Sequence, residues 1–202
     1  MDQNTRAIAA FWGWLSAQQP ALNNLITPDD PFWDAVLTQL HAVHAGLWFE
    51  VSNGPFTPRE FVITAQGDTR LFQLVDTLAA AAPNLPGWKI VALKQPQADD
   101  PLVEMKYEGR ILDPSKMWFS PLTAKSDPTR LALRIAVPGF QEEDRNTFTT
   151  AILIMLDSLL GERDAALQVH RVFPCQVPSD PASAGFIEFT QLPAFIAWRK
   201  RR

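Results

Sequence analysis

Apolar positions along the chain recur first with the period of a helix and then with that of a strand. Ile8, Phe11, Trp12 and Leu15 are spaced three and four apart, which predicts an amphipathic helix over 5–18 with an aromatic stripe turned inward. Residues 31–44 repeat the pattern. Asp30 is placed to cap that helix, Pro31 suits its first position, Phe32, Trp33, Val36, Leu37 and Leu40 form the stripe, and Gly46 offers a left-handed stop.

The period then falls to about 2. LWFEVS (47–52) and REFVITA (59–65) are rich in branched and aromatic residues, and the stretch between them holds Asn53, Gly54 and two prolines, so the pair predicts a hairpin. Asp68 caps a following helix striped by Leu71, Phe72, Val75, Leu78, Ala79 and Ala82. Pro83 stops that helix, Pro86-Gly87 turns the chain, and Trp88 opens a return strand, WKIVALK. The corner reads as the joint between a crossover helix and its strand.

The second half replays this order. MWFSPLTA (117–124) and RLALRIAV (130–137) predict a hairpin broken by Pro138 and Gly139. A helix over 141–160 follows, with Glu142, Glu143 and Asp144 in its first turn and Gly161 at its end, and AALQVHRVF (165–173) reads as a strand. The expected fold is therefore α+β. Two pseudo-duplicated ββαβ units, 47–94 and 117–173, form one mixed sheet of about six strands with both long helices on one face. A helical segment, 1–46, precedes them, and a segment 174–202 with a short helix follows. The whole, 1–202, reads as a single domain in which 95–116, rich in proline and acid, connects the halves.

Composition narrows the classes. With 47% apolar and 20% charged residues the chain has the make-up of a globular protein, and 17 prolines and seven tryptophans imply many fixed corners and large buried anchors. The net charge of -4 is uneven: Arg199, Lys200, Arg201 and Arg202 close the chain, leaving 14 basic against 22 acidic residues elsewhere, which argues against a broad nucleic-acid surface. A single cysteine, Cys175, rules out an intrachain disulfide and fits a reducing compartment. The first twenty residues make a poor signal peptide, and no apolar run reaches the roughly 20 residues that span a bilayer. A cytoplasmic protein without a transmembrane segment is expected.

The stretches LWFEVS, REFVITAQGD, LVDTLAAAAPNLPGW and LLGERD resemble a group of uncharacterised bacterial proteins described as domains of unknown function, across most of residues 10–175. The resemblance implies a bacterial cytoplasmic origin and brings no catalytic residues with it.

Candidate chemistry is sparse. There is no GxSxG elbow, phosphate-binding glycine loop, HExxH, calcium loop or CxxC, so no cofactor is implied. His41 and His44, at i and i+3, could face one way, but a metal site needs further donors and dipole-favoured histidines at a helix end are the simpler reading, so no metal is assigned. Strand parity offers more. If Leu167, Val169 and Phe173 lean inward with Arg171 out of pattern, His170 points to the other sheet face, and the same reasoning puts Trp48 and Glu50, and separately Arg134, on such a face. Glu50, Arg134 and His170 beside Trp48 would suit an anionic ligand or acid–base work, or simply form a structural ion pair. The carboxylates of LLGERD read as a solvated turn, as do Asp113 and Asp127 before their prolines. The WRKRR tail could touch phosphates or an anionic surface, or merely solubilise the chain end.

Two functions compete. A non-catalytic intracellular binding or protein-interaction module, regulatory or immunity-like, requires an exposed apolar patch with Trp12, Trp48, Trp118 or Trp198 in it. A small enzyme or anionic-ligand-binding protein requires the Glu50–Arg134–His170 cluster to converge.

Overall fold

The stripe of the first helix is buried as its spacing demands: Ile8, Phe11, Trp12 and Leu15 are all in the core of α1 (Gln3–Ala17). The computed structural model describes residues 3–24, 29–52, 58–97, 103–124 and 127–201. They divide into two compact units, Met1–Lys94 and Gln95–Arg202, and the division falls where the connector was expected to begin. The fold is α+β, and no helix among the described residues is long and apolar enough to cross a membrane.

In the first unit, α1 is followed by α2 (Gln19–Asn24) and α3 (Phe32–Val43). The Phe32 N–H donates to Asp30 Oδ1 at 2.9 Å, the expected cap. Trp33, Val36, Leu40 and Val43 make the buried face. The stop differs from expectation. His44 leaves the helix in an extended conformation, and a Cβ at Gly46 would lie 2.7 Å from Leu71 Cδ1, the end of a side chain that would have to turn aside.

The strand β1 (Trp48–Val51) pairs antiparallel with β2 (Arg59–Thr64), and β3 (Trp88–Ala92) runs parallel to β2 after the crossover helix α4 (Phe72–Ala80). The turn residues of the hairpin, 53–57, lie outside the described residues. The proline corner is structural. Gly87 takes φ 84°, the Trp88 N–H donates to Leu85 O at 3.0 Å, and the Trp88 indole donates to Asn23 Oδ1 at 3.1 Å, tying the corner to α2.

Asp68 caps the 3-10 turn Thr69–Leu71 that leads into α4 by accepting from the Arg70 N–H. The Arg70 side chain hydrogen-bonds the same carboxylate and, with the backbone bond, holds its pKa down at about 2 against an ordinary 3.8. A depressed pKa means that the stabilisation is complete above the ordinary value and is lost as pH falls from about 4 through about 2. Titration of the Asp68 carboxyl carbon by NMR should give a midpoint near 2, and Arg70→Ala should return it towards 3.8; an unchanged midpoint in the variant would contradict this assignment.

The second unit opens with a hairpin inside the expected connector, β4 (Met105–Tyr107) with β5 (Arg110–Leu112). Residues 98–102 of that connector lie outside the described residues. Next, β6 (Trp118–Ala124) and β7 (Asp127–Ala136) form the predicted antiparallel pair. The long helix α5 (Arg145–Leu160) follows a 3-10 turn, Glu142–Asp144, that carries the acidic residues. Residues 165–168, expected as strand, instead belong to α6 (Glu162–Gln168), and β8 (Val169–Cys175) begins only after it, parallel to β7. A two-residue strand, β9 (Ile187–Glu188), pairs with β6, and α7 (Leu192–Arg199) comes last. Phe119, Leu133, Ile135, Phe148, Ile152 and Leu156 centre the core of this unit.

The expected single sheet of about six strands is therefore replaced by three sheets, β1-β2-β3, β4-β5 and β8-β7-β6-β9. Within the second unit, the two-residue β9 occupies one edge of β6.

Candidate functional site

Trp48 and Glu50 lie on β1 of the first unit's sheet. The Trp48 ring is 38% exposed and meets His41 edge-on at 5.4 Å, and Glu50 is ion-paired with Lys94 at 2.7 Å. Arg134 and His170 lie on β7 and β8 of the other sheet. The one sheet on which the three groups were expected to converge is thus absent, and Glu50 already has its cation.

His170 is exposed, as its parity predicts, but the alternation breaks beside it. Leu131 pairs with Val169 but Ala132 with Arg171, so His170 is the extra residue of a β-bulge. The bulge reverses the alternation after it: Val172 and Pro174 are buried, while Phe173 is 38% exposed. It is Arg171, treated from sequence as out of pattern, that shares the outer sheet face with Arg134. The Val172–Pro174 alternation, had it been weighted above Val169 and Phe173, would have pointed there.

On that outer face Arg134 pairs across the strands with Ser120 on one side and Phe173 on the other. Its guanidinium sits 5.1 Å from the Phe186 ring centroid, and that of Arg171 sits 5.8 Å from Phe173. Burial pushes the Cys175 thiol pKa up, with the Arg134 charge and hydrogen bond and the Arg145 charge opposing it.

A second surface follows α7. Leu192 and Ile196 anchor this helix in the core, and a groove flanks it on each side. One, of about 400 Å³, runs over Leu159, Leu160, Pro193 and Ile196 to Lys200 and Arg201. The other, of about 330 Å³, is formed by Ile187, Ala194, Phe195 and Trp198. Trp198 is 44% exposed and its ring lies 5.7 Å from that of Phe195. Among the tryptophans proposed as anchors, Trp12 is buried, Trp118 half-buried, and Trp48 and Trp198 exposed.

After α7 ends at Arg199 the next two residues form a hydrogen-bonded turn: Lys200 N–H donates to Ile196 O and Arg201 N–H to Trp198 O. Lys200 pairs with Asp164 at 2.8 Å, Arg199 is half-buried, and Arg201 is exposed with no side-chain partner among the described residues. Arg202 lies outside them, as does the side chain of Asp127.

His41 and His44 do not share a helix face, because His44 sits in extended backbone and its Nδ1 accepts the Gly46 N–H at 3.0 Å. Among the described residues no group of three or more His, Cys, Asp or Glu side chains could hold a metal ion. Glu162, read as part of a solvated turn, is fully buried in the first turn of α6. Asp113 does cap a turn, accepting from Ser115. No protein family, curated protein or solved structure matches the chain.

Proposed function

We propose that the chain is a non-catalytic intracellular interaction module and that α7 is its docking element, taking an acidic, apolar-anchored segment of another protein. The carrying observation is Trp198, 44% exposed on a helix with an apolar groove along each flank. Aromatic side chains beside concave apolar surface are the usual energetic anchors of interfaces. The sign of the partner comes from Arg201, an exposed cation at the groove end without a carboxylate among the described residues, in a chain that is acidic elsewhere. Grooves that accept side chains favour a peptide over a flat lipid surface. The hairpin, crossover helix and parallel strand present in both units support reading them as copies of one ββαβ unit, and the motif resemblance supports a bacterial source.

A display library of random peptides panned on the whole chain should enrich acidic sequences carrying large apolar residues. Trp198→Ala should weaken the best of them about 30-fold, the loss of one hot-spot aromatic, and Arg201→Glu should weaken them further at low salt. Enrichment without acidic bias, indifference to Trp198→Ala, or a Trp198-dependent blue shift on anionic vesicles with no peptide enriched would each overturn the proposal.

A further inference from the structure

The outer face of the four-stranded sheet holds two adjacent arginines that form no ion pair with a carboxylate among the described residues. Arg134 on β7 faces Phe173 on β8, and Arg171 lies two residues earlier on that strand. Strand rise and spacing put their Cα atoms roughly 8 Å apart, within the span that two guanidinium side chains close. Ser120 lies opposite Arg134 on β6.

Three other arginines are ion-paired. Arg70 is bound to Asp68 at 2.7 Å, Arg110 to Asp144 at 2.6 Å, and Arg145 to Glu142. Arg134 and Arg171 form no ion pair among the described residues. Phe186 and Phe173 supply ring faces that orient the two guanidiniums, and Arg134 also hydrogen-bonds the Cys175 side chain, leaving its remaining N–H groups to donate. Two like charges side by side on an exposed face repel, and in a chain with more acidic than basic residues a carboxylate placed there would relieve the repulsion.

We infer that Arg134, Arg171 and Ser120 form a site for a phosphate monoester dianion carried by a small molecule. Two planar donor forks match two phosphate edges, and their combined charge matches that of the dianion, whereas a carboxylate engages one fork and leaves the second cation unpaired. The exposed part of the Phe173 ring offers an apolar surface to the group that carries the phosphate. The site rests on the sheet face alone and is independent of docking on α7.

The test is an NMR titration that follows the arginine Nε–H resonances of the whole chain, with inorganic phosphate, sulfate, acetate and phenyl phosphate as probes. Phosphate and sulfate should move Arg134 and Arg171 saturably and together while Arg70 and Arg110 stay still. Acetate should bind about tenfold more weakly, and phenyl phosphate more tightly than phosphate. Arg134→Lys and Arg171→Lys keep the charge but remove the fork, and each should weaken binding about tenfold with the fold intact. Parallel movement of Arg70, Arg110 and Arg201, acetate binding equal to phosphate, or no loss in the lysine variants would overturn the site. Much tighter binding of a phosphoserine peptide than of phenyl phosphate would overturn the small-molecule source.

Discussion

Replacing Trp12 with alanine should lower the unfolding free energy of the first unit by about 4 kcal/mol, the cost of emptying a large aromatic site in a core. Trp12 is 4% exposed, stands against Phe11 at 4.8 Å between centroids, and donates its indole N–H to Leu78 O at 2.8 Å. The carbonyl it serves is in α4, so one side chain both fills the core of α1 and satisfies a backbone acceptor sixty-six residues away. Trp12→Phe separates the two contributions. It keeps most of the ring and loses the donor, for about 1–2 kcal/mol. Because the chain has two units, a single global transition is a poor readout. Native-state hydrogen exchange should show the loss in α4 and β2 amides while α5 is unmoved. A loss below about 1 kcal/mol for Trp12→Ala would mean that the site collapses around the missing ring and that the hydrogen bond contributes nothing.

How much of this was legible in the sequence depends on the range of the signal. Local periodicity located α1, α3, both hairpins and the β2–β3 crossover, because each rests on residues within about one helix or one hairpin. The sheet partition was not legible. Part of it involves Ile187–Glu188, a pair too short to carry any alternation, which pairs with one edge of β6. The site failed over a smaller distance. Counting a strict period of two from Val169 put His170 outward, where it is exposed, but it could not show the single bulged residue that brings Arg171 to the outer face beside Arg134. Trp198 was identifiable as an aromatic beside a basic cluster, but the grooves along α7 are built by Leu159, Leu160, Phe195 and Ile187, and no sequence window contains their juxtaposition.

Gly161 carries the last of these long-range consequences. It joins α5 to α6 at φ 76° and ψ 149°, a conformation essentially confined to glycine, and its carbonyl accepts the Ala165 N–H at 2.9 Å. A glycine was expected there as an ordinary helix stop; what the fold uses is a break that lets a second helix start at once and delays β8 until Val169. Gly161→Ala should cost about 2 kcal/mol and lower the melting temperature of the second unit by roughly 10 °C. Relief of that strain runs through α6, so the Ala165 amide should exchange faster than the amides of α5. The start of β8 is tethered by the same short helix, and a shift there moves the bulge at His170 and with it the face on which Arg171 stands. The phosphate-induced movement of Arg171 should therefore weaken in Gly161→Ala even at temperatures where the variant is fully folded. A variant with unchanged melting and unchanged Ala165 exchange would show that alanine is accommodated at Gly161 without strain, and that the register of β8 is set by its pairing with β7 alone.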